Sequence, residues 1–145
     1  MNFGLHMLYF WAAYILVTLV GIAHTVFNWK VLKMEVKKEK VTSMYDIVPY
    51  AKTVPFHPLY NILLWPIFAF LYLSTSGTGS IWKDALVLGA SWTLITIVFD
   101  LIGWVIVKHP WRMTFREMYV EYQPWISLIY LSIFISPFIA GALIQ

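Results

Sequence analysis

Residues 85–107 read ALVLGASWTLITIVFDLIGWVIV, twenty-three positions with a single charged side chain, Asp100. At about 1.5 Å per residue a helix of this length covers ~35 Å, enough for the ~30 Å hydrocarbon core of a bilayer. Such a run has no polar face to turn to water, so a soluble helix would leave a large apolar patch exposed. It reads as a membrane span, and three more follow from it. Residues 3–29 carry no Asp, Glu, Lys or Arg; their ~40 Å as a helix exceeds the hydrocarbon core and implies tilt or protruding ends. Residues 59–75 make a shorter span that follows Pro55 and Pro58 and is closed by Gly77 and Gly79. Residues 125–145 are again uncharged and contain Pro137, which should kink the helix. The expected fold is all-α: one domain over 1–145, an integral membrane four-helix bundle with a short amphipathic interfacial helix before the last span.

Composition agrees. Hydrophobic residues make up 61% of the chain and charged residues 12%, about half the charged share of a soluble domain. The net charge of +3 is not a nucleic-acid footprint, because the basic residues flank apolar spans where they meet anionic headgroups. The absence of cysteine excludes disulfides, thiolate metal sites and S-palmitoylation. A cleaved leader is not expected: no Lys or Arg precedes the first apolar run, although Gly21-Ile22-Ala23 resembles a cleavage site.

Of ten Lys and Arg, six fall in 30–52 and three in 108–116, with Lys83 elsewhere. The positive-inside bias then makes both of these connections cytoplasmic, leaving both termini and the 76–84 gap extracytoplasmic. The expectation is a multi-pass protein of the plasma membrane whose first partner is the lipid bilayer. Trp29, Trp82, Trp111 and Trp125 fall near the expected boundaries, as amphipathic indoles do.

Both connections hold helix signals. Thr114-Phe115-Arg116-Glu117 reads as a capping box, with Met113 and Met118 placed as a hydrophobic staple. Phe115, Met118, Tyr119 and Tyr122 would share one face, opposite Arg116, Glu117 and Glu121. Ser43-Met44-Tyr45-Asp46 is a second capping signal, and Val31 and Met34 would continue the first helix into water. Arg112, Arg116, Lys37 and Lys38 are the candidate contacts to lipid headgroups. The plainer reading of that cluster, with His109 and Glu121, is a snorkelling interfacial helix.

Asp100 is the leading candidate for chemistry, since an acid at a helix centre costs ~2.5–3.5 kcal/mol to insert and usually faces a cavity or the protein interior. It lies eight residues from Lys108 and His24 lies six from Lys30, or ~12 Å and ~9 Å inside one boundary. Matched depths predict a His24–Asp100 contact. Ala85, Gly89, Thr93, Thr96, Asp100 and Gly103 recur at steps of four or three, and Thr18, Gly21, His24, Thr25 and Asn28 form a similar patch on the first span. Ser132, Ser136 and Ala140 give the last span a small-residue packing face, and Asn61 with Trp65 gives the second a polar spot. The candidate binding or proton site is thus Asp100, His24, Thr93, Thr96, Asn28 and Asn61. His24, His57 and Asp100 could converge as a His-His-carboxylate set, but no spacing motif supports a metal, and no cofactor is implied.

Motifs for zinc peptidases, serine hydrolases and phosphate loops are absent. The first functional expectation is a small proton- or cation-linked transporter or channel-like protein acting as a homo-oligomer. The alternative is a structural or accessory subunit of a larger membrane complex, with Asp100 and the small-residue faces serving assembly. A membrane-embedded enzyme acting on lipid headgroups ranks third.

Overall fold

A computed structural model describes residues 2–35 and 43–145, so Lys37 and Lys38 lie outside the described residues. All regular structure among those residues is helical. Helix α1 (Phe3–Lys30) is followed by the single turn α2 (Val48–Ala51), then α3 (His57–Ser76), α4 (Ile81–Asp100) and α5 (Trp125–Ile144). The four long helices are apolar enough to cross a membrane. The expected spans match them to within a few residues. Helix α4 runs on in a wider winding to Ile106, so the largest shift is at its start, where Lys83 and Asp84 belong to the helix. An acid is favourable in a first turn, and Asp84 accepts from the Thr78 N–H and hydroxyl at 2.6 and 2.8 Å.

The start of α1, the end of α5 and the 77–80 turn lie at one end of the bundle, here the terminal end; the described parts of the two connections, 31–35 with 43–56, and 107–124, lie at the other, the loop end. Helix α5 packs against α3 and α4, and α1 packs against α3. The seam between α1 and α4 is bridged by side chains: His6 to Ser91 at 3.0 Å, Trp11 edge-on to Phe99 at 4.7 Å, and Tyr14 to Asp100. Exposed apolar side chains recur on every long helix, among them Leu19, Leu63, Leu94 and Leu131. That is the surface a lipid environment requires.

Small residues set the close contacts. Ser132, Ser136 and Ala140 of α5 are buried, as their spacing predicts. Gly89 of α4 lies against the α5 backbone so closely that a Cβ there would stand 2.4 Å from the Phe134 carbonyl oxygen. Pro137 lies inside α5, with the Ser136 hydroxyl donating to the Ser132 carbonyl at 2.6 Å. A second internal proline, Pro66, lies inside α3, within the expected span 59–75. The terminal half of the interior is filled by Phe10, Trp65, Leu88, Trp92 and Ile133, all almost fully buried.

The loop end is knitted by side chains. Helix α1 does not continue through Val31 and Met34; it stops at Lys30 and the chain turns at Lys33 with φ 52°. The Ser43 box forms, with the Asp46 carboxylate accepting from the Ser43 N–H at 3.1 Å. The Thr114 box also forms: the Thr114 N–H donates to Glu117 at 2.6 Å and the Glu117 N–H donates to the Thr114 hydroxyl at 3.2 Å. The expected two-faced linker helix needs correction, however. Its winding opens over Glu117–Glu121, where the Tyr122 N–H reaches back five residues to the Glu117 carbonyl at 3.0 Å. Met118 and Tyr122 turn inward as expected, but Glu117 is also buried and Phe115 is 61% exposed.

Glu117 is buried because it holds the two connections together. Burial pushes its carboxyl up, but hydrogen bonds from Ser43, from Thr114 and from the Met44 backbone outweigh this and hold it below the usual glutamate value of 4.5. A depressed folded-state value contributes stability that is present above pH 4.5 and lost as pH falls through the folded value. Glu117→Gln should therefore be less stable than the parent at neutral pH, with the difference closing only under acid. Urea or dodecyl sulfate unfolding between pH 3 and 7 checks this; a pH-independent gap would refute it.

Candidate functional site

Asp100 is where α4 changes its winding. From Leu101 to Ile106 the helix widens, and the Val107 N–H bonds five residues back to the Ile102 carbonyl at 2.9 Å. Wide turns of this kind often mark functional positions. The carbonyls at its end are met by the following turn: His109 Nε2 donates to Gly103 at 2.8 Å, the Met113 N–H to Trp104 at 2.8 Å and Arg112 Nε to Val105 at 3.0 Å. Arg112 thus caps a helix end, where a cation is favoured. Arg116 is an exposed partner of Glu121 at 3.1 Å.

The Asp100 side chain is 6% exposed. The Tyr14 hydroxyl donates to one carboxyl oxygen at 2.7 Å and the Tyr130 hydroxyl to the other at 3.1 Å. Trp104 Nε1 in turn donates to the Tyr14 oxygen at 3.4 Å. A carboxylate has about four acceptor sites, so two donors leave it able to take a proton or a cation.

The expected His24–Asp100 pair does not form. His24 bonds to the Tyr60 hydroxyl instead. The cause is the extra length of α1, whose last turns pack on the chain that precedes and begins α3: Gly21 against His57, Thr25 near Thr53 at 3.5 Å, and Asn28 donating to the Pro49 carbonyl at 3.1 Å. Counting depth from Lys30 therefore placed His24 opposite the wrong residue. Ten residues earlier, almost three turns, Tyr14 takes the position expected of His24.

Among the other predicted residues, Thr96 and Asn61 join Asp100 in lining one cavity. Their polar atoms are partly engaged: the Thr96 hydroxyl donates to the Trp92 carbonyl at 2.8 Å, and Asn61 accepts from Trp65 Nε1 at 2.7 Å. Asn28, His24 and Thr93 do not line it. No three His, Asp or Glu side chains among the described residues are grouped to hold a metal.

The cavity occupies the loop-end half of the bundle and measures about 370 Å³. Its walls come from α1, α3, α4 and α5 and from both connections, with Tyr14, Tyr50, Tyr60, Trp65, Trp104 and Tyr122 supplying aromatic rings. Ile22, Val26 and Trp111 belong to its walls and are also exposed, so it opens sideways beside α1. His57 forms part of the wall with both ring nitrogens engaged. The Thr53 hydroxyl spends its hydrogen on the Tyr50 carbonyl at 2.7 Å, so His57 Nε2 must donate to Thr53 at 3.2 Å and Nδ1 must accept from Tyr122.

Sequence reasoning missed Tyr14, Tyr130, Trp104 and the His57–Tyr122 pair. One signal was available: Phe10, Tyr14, Thr18 and Gly21 extend the polar stripe of α1 at helical spacing. No family model matches this chain, and no curated protein or solved structure matches it.

Proposed function

We propose that the protein is a small multi-pass transporter of the plasma membrane in which Asp100 carries a coupling proton or cation. The observation behind this reading is a carboxylate held by two tyrosine hydroxyls in the wall of a cavity among four helices apolar enough to cross a membrane. Intramembrane acids that face a cavity are the usual sites of such coupling. The packed Phe10, Trp65 and Trp92 layer closes the cavity toward the terminal end, which favours a carrier with one side open at a time over an open channel. The cavity lies within one chain, so this reading does not need the symmetric interface expected of an oligomer. The excess of Lys and Arg in the two connections supports a cytoplasmic loop end with both termini outside.

Orientation is tested by labelling, since the chain has no cysteine. In intact cells an impermeant maleimide should modify Ser80→Cys and spare Glu35→Cys, and the reverse pattern would invert the topology. Transport is tested in proteoliposomes with an imposed pH gradient and an internal pH dye, challenged with inorganic cations, amines and neutral solutes. At least one solute class should drive proton movement in the parent, with Asp100→Asn at least about tenfold slower although it is still folded by helical circular dichroism. No solute-driven flux in the parent, or equal flux in both proteins, would reject the transporter reading.

A further inference from the structure

The cavity has a composition that selects among ligands. Asp100 is the one acidic residue in its walls, and neither Lys nor Arg joins it among the described residues. Anions would meet a carboxylate and no counter-charge. Zwitterions would leave their own carboxylate without a partner. A small metal ion needs several oxygen ligands to replace its water, and the walls offer one carboxylate, a few engaged hydroxyls and hydrocarbon. A neutral apolar molecule would fill the space but would gain nothing from a buried acid that is costly to keep there.

One class satisfies every wall. An organic cation with diffuse charge sheds water cheaply, is attracted to the faces of Tyr and Trp rings, and gains a counter-charge from Asp100. Building on the reading of Asp100 as a binding site, we propose that this cavity takes a lipophilic organic cation, its apolar body among Tyr14, Tyr60, Trp65 and Trp104 and its positive centre beside the Asp100 carboxylate. The volume of about 370 Å³ falls in the lower range of pockets that hold drug-sized molecules. The side opening at Ile22, Val26 and Trp111 faces the region where amphipathic cations concentrate in a bilayer. The indole of Trp104 also separates the cavity from a shallow groove on the α1–α4 seam, which Tyr14, Phe99, His109 and Pro110 line with it. Trp104 and Tyr14 therefore stand between the membrane-facing seam and the acid.

Two ions of the same shape and opposite charge make the test. The full-length protein in nanodiscs of neutral lipid is titrated with tetraphenylphosphonium and, separately, tetraphenylborate, following tryptophan fluorescence and equilibrium dialysis. The cation should bind saturably and the anion should not. Asp100→Asn should weaken cation binding at least tenfold and Asp100→Glu should restore most of it. Trp111→Ala, at an exposed wall position that does not endanger folding, should weaken it severalfold. Equal binding of both ions, binding of neither, or binding indifferent to Asp100→Asn would overturn the proposal. Because the assay needs no transport, its failure alongside solute-driven flux would remove the ligand class and keep the carrier. Saturable binding without flux would do the opposite.

Discussion

Replacing Gly89 by alanine is expected to force α4 and α5 apart. The added methyl would stand 2.4 Å from the Phe134 carbonyl oxygen, 3.3 Å from its carbonyl carbon and 3.5 Å from its Cα. All three atoms are backbone of a regular helix, so no side chain can swing aside. Helix association in a bilayer draws on close packing more than on the exclusion of water. Separating two backbones therefore loses dispersion contacts along the whole seam, including those of Ala85, Ser136 and Ala140. Overpacking in cores costs about 1–3 kcal/mol, and the backbone-to-backbone nature of this clash puts Gly89→Ala at the upper end or beyond. The measurement is unfolding in mixed micelles beside a control, Ala90→Gly at an exposed position of the same helix. A gain of stability in Gly89→Ala, opposite in sign to the loss of about 1 kcal/mol expected of Ala90→Gly, would show that helix propensity, and not the approach of α5, sets the effect.

The second large effect is expected at Asp100. Removing the carboxyl in Asp100→Ala leaves the Tyr14 and Tyr130 hydroxyls without the acceptor they share. A buried polar group stripped of its partner costs about 1–3 kcal/mol, so two of them imply roughly 2–6 kcal/mol. Asp100→Asn keeps one acceptor oxygen and should cost clearly less. The double variant Tyr14→Phe/Tyr130→Phe, combined with Asp100→Ala, should recover part of the loss, because the orphaned hydroxyls go with it. Thermal unfolding of the set decides it. Equal stability of the Asn and Ala variants, or no recovery in the triple variant, would mean that the tyrosines find other acceptors and that the triad is not a coupled unit.

Helix number, approximate bounds and the burial of Asp100 were legible in the chain because each follows from hydropathy, which is a local property. The two capping boxes were legible for the same reason, since Ser43 with Asp46 and Thr114 with Glu117 are each three residues apart. What surrounds Asp100 was not. Finding Tyr14 requires knowing that the twenty-eight residues of α1 overshoot the bundle and spend their last turns on Pro49, Thr53 and His57. The excess length was visible; its effect on register was not. Glu117 was misplaced because an acid on a linker reads as solvated, whereas its partners Ser43 and Met44 lie about seventy positions away. Pro66 and the change of winding after Asp100 leave no mark in a hydropathy pattern.

The two widened turns carry a consequence for how this chain could vary. A five-residue hydrogen-bonded turn holds one more residue than the α-turn it replaces. Leu101–Ile106 and Glu117–Glu121 are therefore each out of phase with an uninterrupted helix by one inserted residue, one on each side of the His109–Met113 bend. Losing one residue from the first would rotate Trp104 out of the wall while leaving Asp100 where it is; losing one from the second would do the same to Tyr122. Insertions and deletions, more than substitutions, would then be the economical way to reshape the cavity around a fixed acid. An ungapped comparison of two such chains would pair the wrong residues through the stretch that matters most.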